Sequence, residues 1–147
     1  ILKYLVEDLN DDIHSISYCP RESHKISILD NFIVSGHENL EMVEYLINKN
    51  VRLMDASNLH QIARFSERLL ERFRVYIDNH EDIREFVFKS ATKHMGNISF
   101  VKFLLTLSTW DPNRYDESGL TPIHLCAEKS FNETLCLLCD TNRVNIE

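Results

Sequence analysis

The chain has 147 residues and a formal net charge of -7, a size that fits a single domain or about four short repeats. Only three glycines and three prolines occur, which argues against a turn-rich all-β fold and against disorder. The acidic balance disfavours a nucleic-acid surface, because phosphate binding requires a basic face. No window of the sequence is apolar enough to span a membrane. These properties are compatible with a helical domain.

The N-terminal part contains two segments that resemble parts of the C-terminal unit described below. Residues 39–51 resemble its second helix and exit loop, and residues 1–6 echo residues 45–47. The chain is therefore expected to begin within a helix and to be a piece of a longer protein. The spacing from Tyr4 to Tyr45 is too long for one plain repeat, which predicts an insertion at residues 20–25.

The middle of the chain, residues 55–88, is its least regular part. Apolar residues keep a helical spacing from Ile62 to Ile77, a run that is long for one short helix. Either two helices have merged there, or a turn near Ser66 is hidden because the helices on both sides share one phase. The pattern of residues 59–63 favours the hidden turn.

The segment from residue 82 to residue 113 predicts two further helices. Residues 82–88 lead into the first of them without a Thr-Pro start, and residues 96–105 predict the second. The loop that closes at Asp111-Pro112-Asn113 is about one residue longer than the repeat pattern quoted below allows. An irregularity is therefore expected near residues 108–110.

The most informative stretch runs from Asp116 to Ala127. Asp116 and Gly119 suit the first and fourth positions of a type I turn. Thr121 can cap a helix with its hydroxyl, and Pro122 fits the first helical position, where no N–H is needed. The sequence thus predicts a turn that is followed at once by a capped helix.

A second helix is predicted directly after it, over residues 132–138, with Leu135 and Leu138 on one face. Residues 144–145 close the unit after a short loop. A turn, two short helices and a loop within about thirty residues cannot bury their own apolar face, so such a unit has to stack on copies of itself.

These residues resemble an ankyrin repeat. The family pattern is D-x-x-G-x-T-P-L-H-x-A-A, then G-H-x-E-I-V-x-x-L-L and G-A-D-V-N, with a period of about 33 residues. Departures are Cys126 for Ala, Ser130-Phe131 for Gly-His and Thr134 for Ile. The residues that fall in register are Asp116, Gly119, Thr121, Pro122, His124, Ala127, Glu133 and Leu138.

The resemblance implies an all-α ankyrin-repeat solenoid of about four stacked helix-turn-helix repeats, some of them degenerate. Residues 1–147 would form a single array, with the last repeat at 116–147. The resemblance also implies a protein-interaction module that presents a rigid concave surface of turn tips and first helices, and not an enzyme. Its variable contact positions would be Tyr115, Glu117, Ser118, Leu120, Glu128 and Lys129, with loose counterparts near Lys93 and His94.

Residue types that often carry chemistry have structural interpretations here. His124 is expected to bond to Thr121, as in the family. Cys136 and Cys139 have C-x-x-C spacing but no second pair for zinc, so we expect them to pack between repeats. No hydrolase, zinc-protease or nucleotide-binding motif occurs. We therefore expect no catalytic residue, metal, cofactor or small-molecule substrate, and the free cysteines indicate a cytoplasmic or nuclear compartment.

Arg64, Arg68 and Arg72 are spaced four residues apart, as on one helical face. They could grip a phosphate or an acidic peptide, but a solvated face that also carries Glu67 and Glu71 is the preferred interpretation.

The sequence does not identify the protein partner, although the acidic charge of the array favours a basic partner. Two alternatives remain for the biological role. One is a regulatory ankyrin segment of a larger channel or enzyme. The other is a compact inhibitor resembling the inhibitors of Rel-type transcription factors, or a viral mimic of them.

Overall fold

A computed structural model describes residues 27–36, 39–49, 51 and 59–146. This part of the chain is helical and contains no β-strand, so the expected all-α class is confirmed for it. The sequence features noted at residues 1–6 and 20–25 lie outside the described residues. The elements are α1 (Ile28–Ser35), α2 (Leu40–Asn48), a 3₁₀ segment (Leu59–Arg64), α3 (Glu67–Asn79), α4 (Glu81–Lys93), α5 (Ile98–Thr106), α6 (Pro122–Glu128) and α7 (Asn132–Cys139).

The helices pack in two rows. One row runs from α1 to the 3₁₀ segment, then to α4 and α6, each member touching the next. In the other row α2 packs on α3, and α5 packs on α7. Helices α3 and α5 make little direct contact, and a cleft of about 450 Å³ lies between them. No helix in the described ranges combines the length and apolarity that a membrane crossing requires.

One apolar core follows these rows along the molecule. Phe73, Ile62 and Phe100 are fully buried at its centre. Burial of one such side chain stabilises the fold by about 1.5–3 kcal/mol. Tyr76 is also buried, and its hydroxyl donates a hydrogen bond of 2.9 Å to the carbonyl oxygen of Val51. The core thus extends along both rows of helices, and no pair of the described helices has a separate core of its own.

The hidden turn near Ser66 is present, so the alternative of one merged helix is wrong. The 3₁₀ segment ends at Arg64, and Ser66 stands at the N-terminus of α3, where its carbonyl accepts from Leu70 at 2.9 Å. Phe65 and Leu69 are both buried on either side of the turn. The buried side chains of the 3₁₀ segment and of α3 continue the same spacing across the turn. The sequence alone therefore shows an unbroken helical pattern.

The two helices predicted after residues 39 and 97 are confirmed as α2 and α5, and they begin in the same way. The side-chain oxygen of Asn39 accepts from the N–H of Met42 at 3.1 Å, and that of Asn97 accepts from Phe100 at 3.1 Å. The backbone angles of the two caps agree closely, with φ −93° and ψ 95° at Asn39 and φ −90° and ψ 93° at Asn97. An N-terminal asparagine satisfies an otherwise unpaired helix donor. Helices α2 and α5, in separate parts of the chain, therefore begin with the same asparagine cap.

The irregular loop predicted near residues 108–110 is held by a carboxylate from α3. Asp78 accepts hydrogen bonds from the N–H groups of Ser108 at 3.4 Å and Thr109 at 3.3 Å, and from the Thr109 hydroxyl at 2.8 Å. Partial burial raises the pKa of Asp78, but the hydrogen bonds from Thr109 and Ser108 outweigh it and bring the pKa below its usual value. Asp78 thus holds a loop that lies about thirty residues further along the chain.

Candidate functional site

The turn ahead of α6 is closed by its own aspartate. The N–H of Gly119 donates to the carbonyl of Asp116 at 3.0 Å, which confirms the predicted turn. The Asp116 carboxylate accepts from the N–H groups of Ser118 at 2.8 Å and Leu120 at 2.9 Å. Gly119 adopts a positive φ of 75°, a conformation that glycine takes without cost. The turn tip is therefore fixed by local bonds.

Helix α6 begins where the sequence predicts. Pro122 is its first residue, and Thr121 precedes it with an extended backbone. The N–H of Thr121 donates to Nδ1 of His124 at 3.3 Å, and its hydroxyl lies 2.8 Å from the same nitrogen. The expected contact between Thr121 and His124 is confirmed. It ties the turn to the first turn of the helix.

A cleft of about 380 Å³ lies between α4 and the segment of residues 114–118. Phe88 lies in it, with only 7% of its surface exposed. The Arg114 guanidinium lies 4.1 Å from the centre of the Phe88 ring, in cation–π geometry. Arg114 also forms an ion pair with Glu85 at 2.8 Å. A hydrogen-bonded arginine thus joins the two walls of the cleft at one place.

Charged and aromatic side chains line the rest of the cleft. Lys89 and Lys93 stand on the α4 wall, four residues apart, and both are exposed. Glu117 and Tyr115 stand on the opposite wall. Tyr115 is 65% exposed, so its ring is available to a ligand or partner. The arrangement is suited to binding a chain segment.

The structure divides the sequence-predicted contact residues into two groups. Tyr115, Glu117 and Ser118 line the cleft, whereas Leu120 is half-buried at the end of the turn. Glu128 at the end of α6 and Lys129 just after it are exposed and are not among the residues that line the cleft. Of the loose counterparts, Lys93 lines the cleft, and the His94 ring stacks on that of His60 with centres 3.7 Å apart.

Sequence reasoning missed most of the α4 wall. Glu85, Phe88, Lys89 and Thr92 line the cleft, but α4 lacks the Thr-Pro start that would have fixed its register against the family pattern. The four-residue spacing of Lys89 and Lys93 was the only available signal. Arg114 was missed because its role depends on partners some thirty residues away in sequence.

A second cleft, of about 450 Å³, separates α3 from α5. Leu70 and Phe103 supply apolar surface there, and Lys102 lines it as well. At its edge Arg74 forms an ion pair and hydrogen bonds with Glu71, and this contact lowers the pKa of Glu71. Arg74 and Glu71 neutralise each other, and Glu67 and Lys102 add further charge to a lining that is otherwise mainly apolar.

The three arginines spaced four apart do not share one helix, so that expectation is wrong. Arg64 ends the 3₁₀ segment, and the turn at Ser66 separates it from Arg68 and Arg72 on α3. Arg72 forms an ion pair with Glu44 of α2 at 2.7 Å. This pairing supports the preferred interpretation of a solvated, mixed-charge face.

The cysteines divide by burial. Cys126 is fully buried, and burial raises the pKa of its thiol to about 11, so the thiol stays protonated and unreactive near neutral pH. Cys136 and Cys139 are exposed on α7, so the expectation that they pack between repeats is wrong. The buried face of α7 is formed by Thr134 and Leu138 instead. Among the described residues, no three histidine, cysteine, aspartate or glutamate side chains gather as a metal site requires.

No protein-family model matches the chain, and comparison with curated proteins and with solved structures finds no significant match. Functional inference therefore depends on the residues and contacts described above.

Proposed function

We propose that the chain is an array of about four stacked ankyrin repeats, some degenerate, that binds a protein partner and has no enzymatic activity. The order of the elements supports this proposal. In the described part of the chain, four first elements (α1, the 3₁₀ segment, α4 and α6) alternate with four second elements (α2, α3, α5 and α7). First elements touch first elements in sequence order, as stacking requires.

Contacts between equivalent positions give further support. Asn113 and Asn145 both occupy the closing position of the family pattern, and the side-chain oxygen of Asn113 accepts from the Asn145 N–H at 2.6 Å. Ser130, which stands where the family has glycine, adopts a positive φ of 57°. Gly96 stands at the equivalent place one unit earlier, and a Cβ there would lie only 3.0 Å from the ring of Phe131. The last two units thus meet at matching loops.

The observation that carries the binding role is the cleft between α4 and residues 114–118. Its walls are held by the Arg114–Glu85 ion pair, and Tyr115 is exposed beside it. Tyrosine and arginine are among the residue types that are enriched at the positions that dominate binding energy at interfaces. Because the Asp116 turn is already closed by its own hydrogen bonds, little conformational entropy is lost when a partner binds. The mechanism is presentation of a preformed surface.

Site-specific cross-linking tests this proposal. A photoreactive phenylalanine analogue at Tyr115 should capture a protein from cells that express the chain. The same analogue at Val75, an exposed apolar residue of α3, and at Lys102 should not. The captured protein, once purified, should bind the unmodified chain and should bind Tyr115→Ala more weakly. Capture from Lys102 alone, or equally from all three positions, would contradict the proposal.

The free state of Cys126, Cys136 and Cys139 is compatible with a reducing compartment, and we place the proposed interaction in the cytoplasm or nucleus.

A further inference from the structure

The cleft between α4 and residues 114–118 has one basic wall and one acidic wall. Lys89 and Lys93 project from α4, and Asp116 and Glu117 lie on the opposite segment. One ion pair joins the two walls with these charges reversed: Glu85, on the wall that carries the lysines, lies 2.8 Å from Arg114 on the opposite wall.

The lysines and Glu117 are not neutralised by one another. No described residue forms an ion pair with Lys89, Lys93 or Glu117. Asp116 differs only in part, because one oxygen of its carboxylate already accepts hydrogen bonds from two backbone N–H groups. An occupant therefore meets two ammonium groups on one wall, and on the other wall the Glu117 carboxylate with the remaining oxygen of Asp116 beside it.

These nearby charges matter more to an occupant than the net charge of the whole chain. Screening at physiological ionic strength acts over about 8 Å, so distant acidic residues contribute little within the cleft. The net charge of -7 alone would suggest a uniformly basic partner. The local arrangement instead requires both signs of charge in one segment.

The spacing of the lysines matches an extended peptide. Side chains four residues apart on a helix have Cβ atoms about 5–6 Å apart. In an extended strand, residues i and i+2 point to the same side about 6–7 Å apart, while residue i+1 points to the other side. Two acidic side chains at i and i+2 can thus face Lys89 and Lys93, while a basic side chain at i+1 faces Glu117.

We propose that this cleft binds an extended peptide segment with alternating acidic, basic and acidic side chains. This inference rests on the proposed function and specifies its partner. The apolar stem of the basic side chain packs against Tyr115, which stands exposed on the same wall as Glu117. The ion pair of Glu85 with Arg114 joins the walls beside the occupied part of the cleft.

A peptide titration followed by NMR tests the inference. The probe is a blocked peptide of sequence Gly-Glu-Arg-Glu-Gly, and its control is Gly-Glu-Glu-Arg-Gly, which has the same composition without the alternation. The probe should shift the backbone amides of residues 89–93 and 115–118, and it should bind several times more tightly than the control. The double variant Lys89→Glu, Lys93→Glu should bind the probe about tenfold more weakly. A matched variant, Lys49→Glu with Lys102→Glu, changes the net charge equally and should bind it normally.

A charge exchange gives a second, independent result. The triple variant Lys89→Glu, Lys93→Glu, Glu117→Lys should prefer the peptide Gly-Arg-Glu-Arg-Gly, with circular dichroism used to check that it is folded. Equal binding of probe and control, shifts at the α3–α5 cleft, or no shifts at millimolar peptide would overturn the inference. Concentration-dependent shifts of the cleft amides without peptide would also overturn it, because the occupant would then be a second copy of the chain. Capture by the Tyr115 cross-linker would leave the proposed function standing in each case.

Discussion

The side-chain amide of Asn113 holds the loop that contains Asn145. Its oxygen accepts from the Asn145 N–H at 2.6 Å, and its nitrogen donates to the carbonyl of Arg143 at 2.7 Å. The Arg143 guanidinium in turn donates to the carbonyls of Leu105 at 2.9 Å and Leu107 at 3.1 Å, where a cation also complements the C-terminal end of α5. One asparagine and one arginine thus join two loops that are thirty or more residues apart in sequence.

Replacement of Asn113 by alanine should therefore loosen the last unit. Loss of two partly exposed hydrogen bonds should lower the free energy of unfolding by about 1–2 kcal/mol. The N–H of Asn145 should also exchange with solvent faster. Asn142→Ala, in the same loop but without a side-chain hydrogen bond among the described residues, serves as the control. Equal stability of the two variants would show that the Asn113 bonds contribute nothing.

The carboxylate of Asp78 should stabilise the chain in a pH-dependent way. Its pKa in the folded protein lies below the ordinary value of 3.8, so its contribution is fully present above that value and is lost as pH falls through the lower, folded-state pKa. Asp78→Ala should be less stable than the unmodified chain at pH 6 by about 1 kcal/mol, and the gap should shrink toward pH 3. Urea unfolding at both pH values measures this. Asp140→Ala, an exposed acid after α7, should show no such gap, and a gap for Asp78→Ala that grows in acid would refute the assignment.

Thr121 and His124 should act as one unit. Thr121→Ala should lower the free energy of unfolding by about 0.5–2 kcal/mol, because the start of α6 loses its capping residue. Because the two side chains are in direct contact, a double-mutant cycle with His124→Ala should show a coupling of at least about 0.5 kcal/mol. The affinity for any partner, measured on folded protein, should stay nearly unchanged. Additive effects, or loss of binding by a stable His124→Ala variant, would mean that the histidine has another role.

Two loop substitutions should change stability in opposite directions. Ser130 has a φ of 57°, so Ser130→Gly should relieve backbone strain and raise stability by about 0.5–1 kcal/mol. Gly119 has a φ of 75°, and a Cβ there would meet no atom within 4 Å. Gly119→Ala should therefore destabilise by about 1 kcal/mol through backbone strain alone. Thermal unfolding of both variants measures the pair, and two shifts of the same sign would contradict the assigned conformations.

The features that the sequence predicted correctly depend on neighbouring residues. The turn from Asp116 to Gly119 and the contact between Thr121 and His124 involve partners three or four residues away, so their residue types carry the information directly. The turn at Ser66 was found because Leu59 to Ala63 kept a faint trace of the pattern. Local hydrogen-bonding rules were sufficient for these elements.

The features that it missed depend on distant partners. Arg114 joins the two walls of the cleft by contacts with Phe88 and Glu85, and no local pattern encodes those contacts. The exposure of Cys139 was missed for a related reason. On so short a helix as α7 only a narrow stripe is buried, and the neighbouring helices, not the helix's own sequence, decide which residues form it.

The most direct measurement compares the two candidate faces for the protein that is captured at Tyr115. The dissociation constant of that protein is measured for three forms of the chain. They are the unmodified chain, the double variant Glu117→Lys, Glu128→Lys, and the single variant Lys102→Glu, which alters the α3–α5 cleft. If turn tips and first helices carry the binding, the double change should weaken affinity about tenfold and Lys102→Glu by less than about threefold. A larger loss for Lys102→Glu than for the double change would place the binding surface on the second helices and contradict the proposed face.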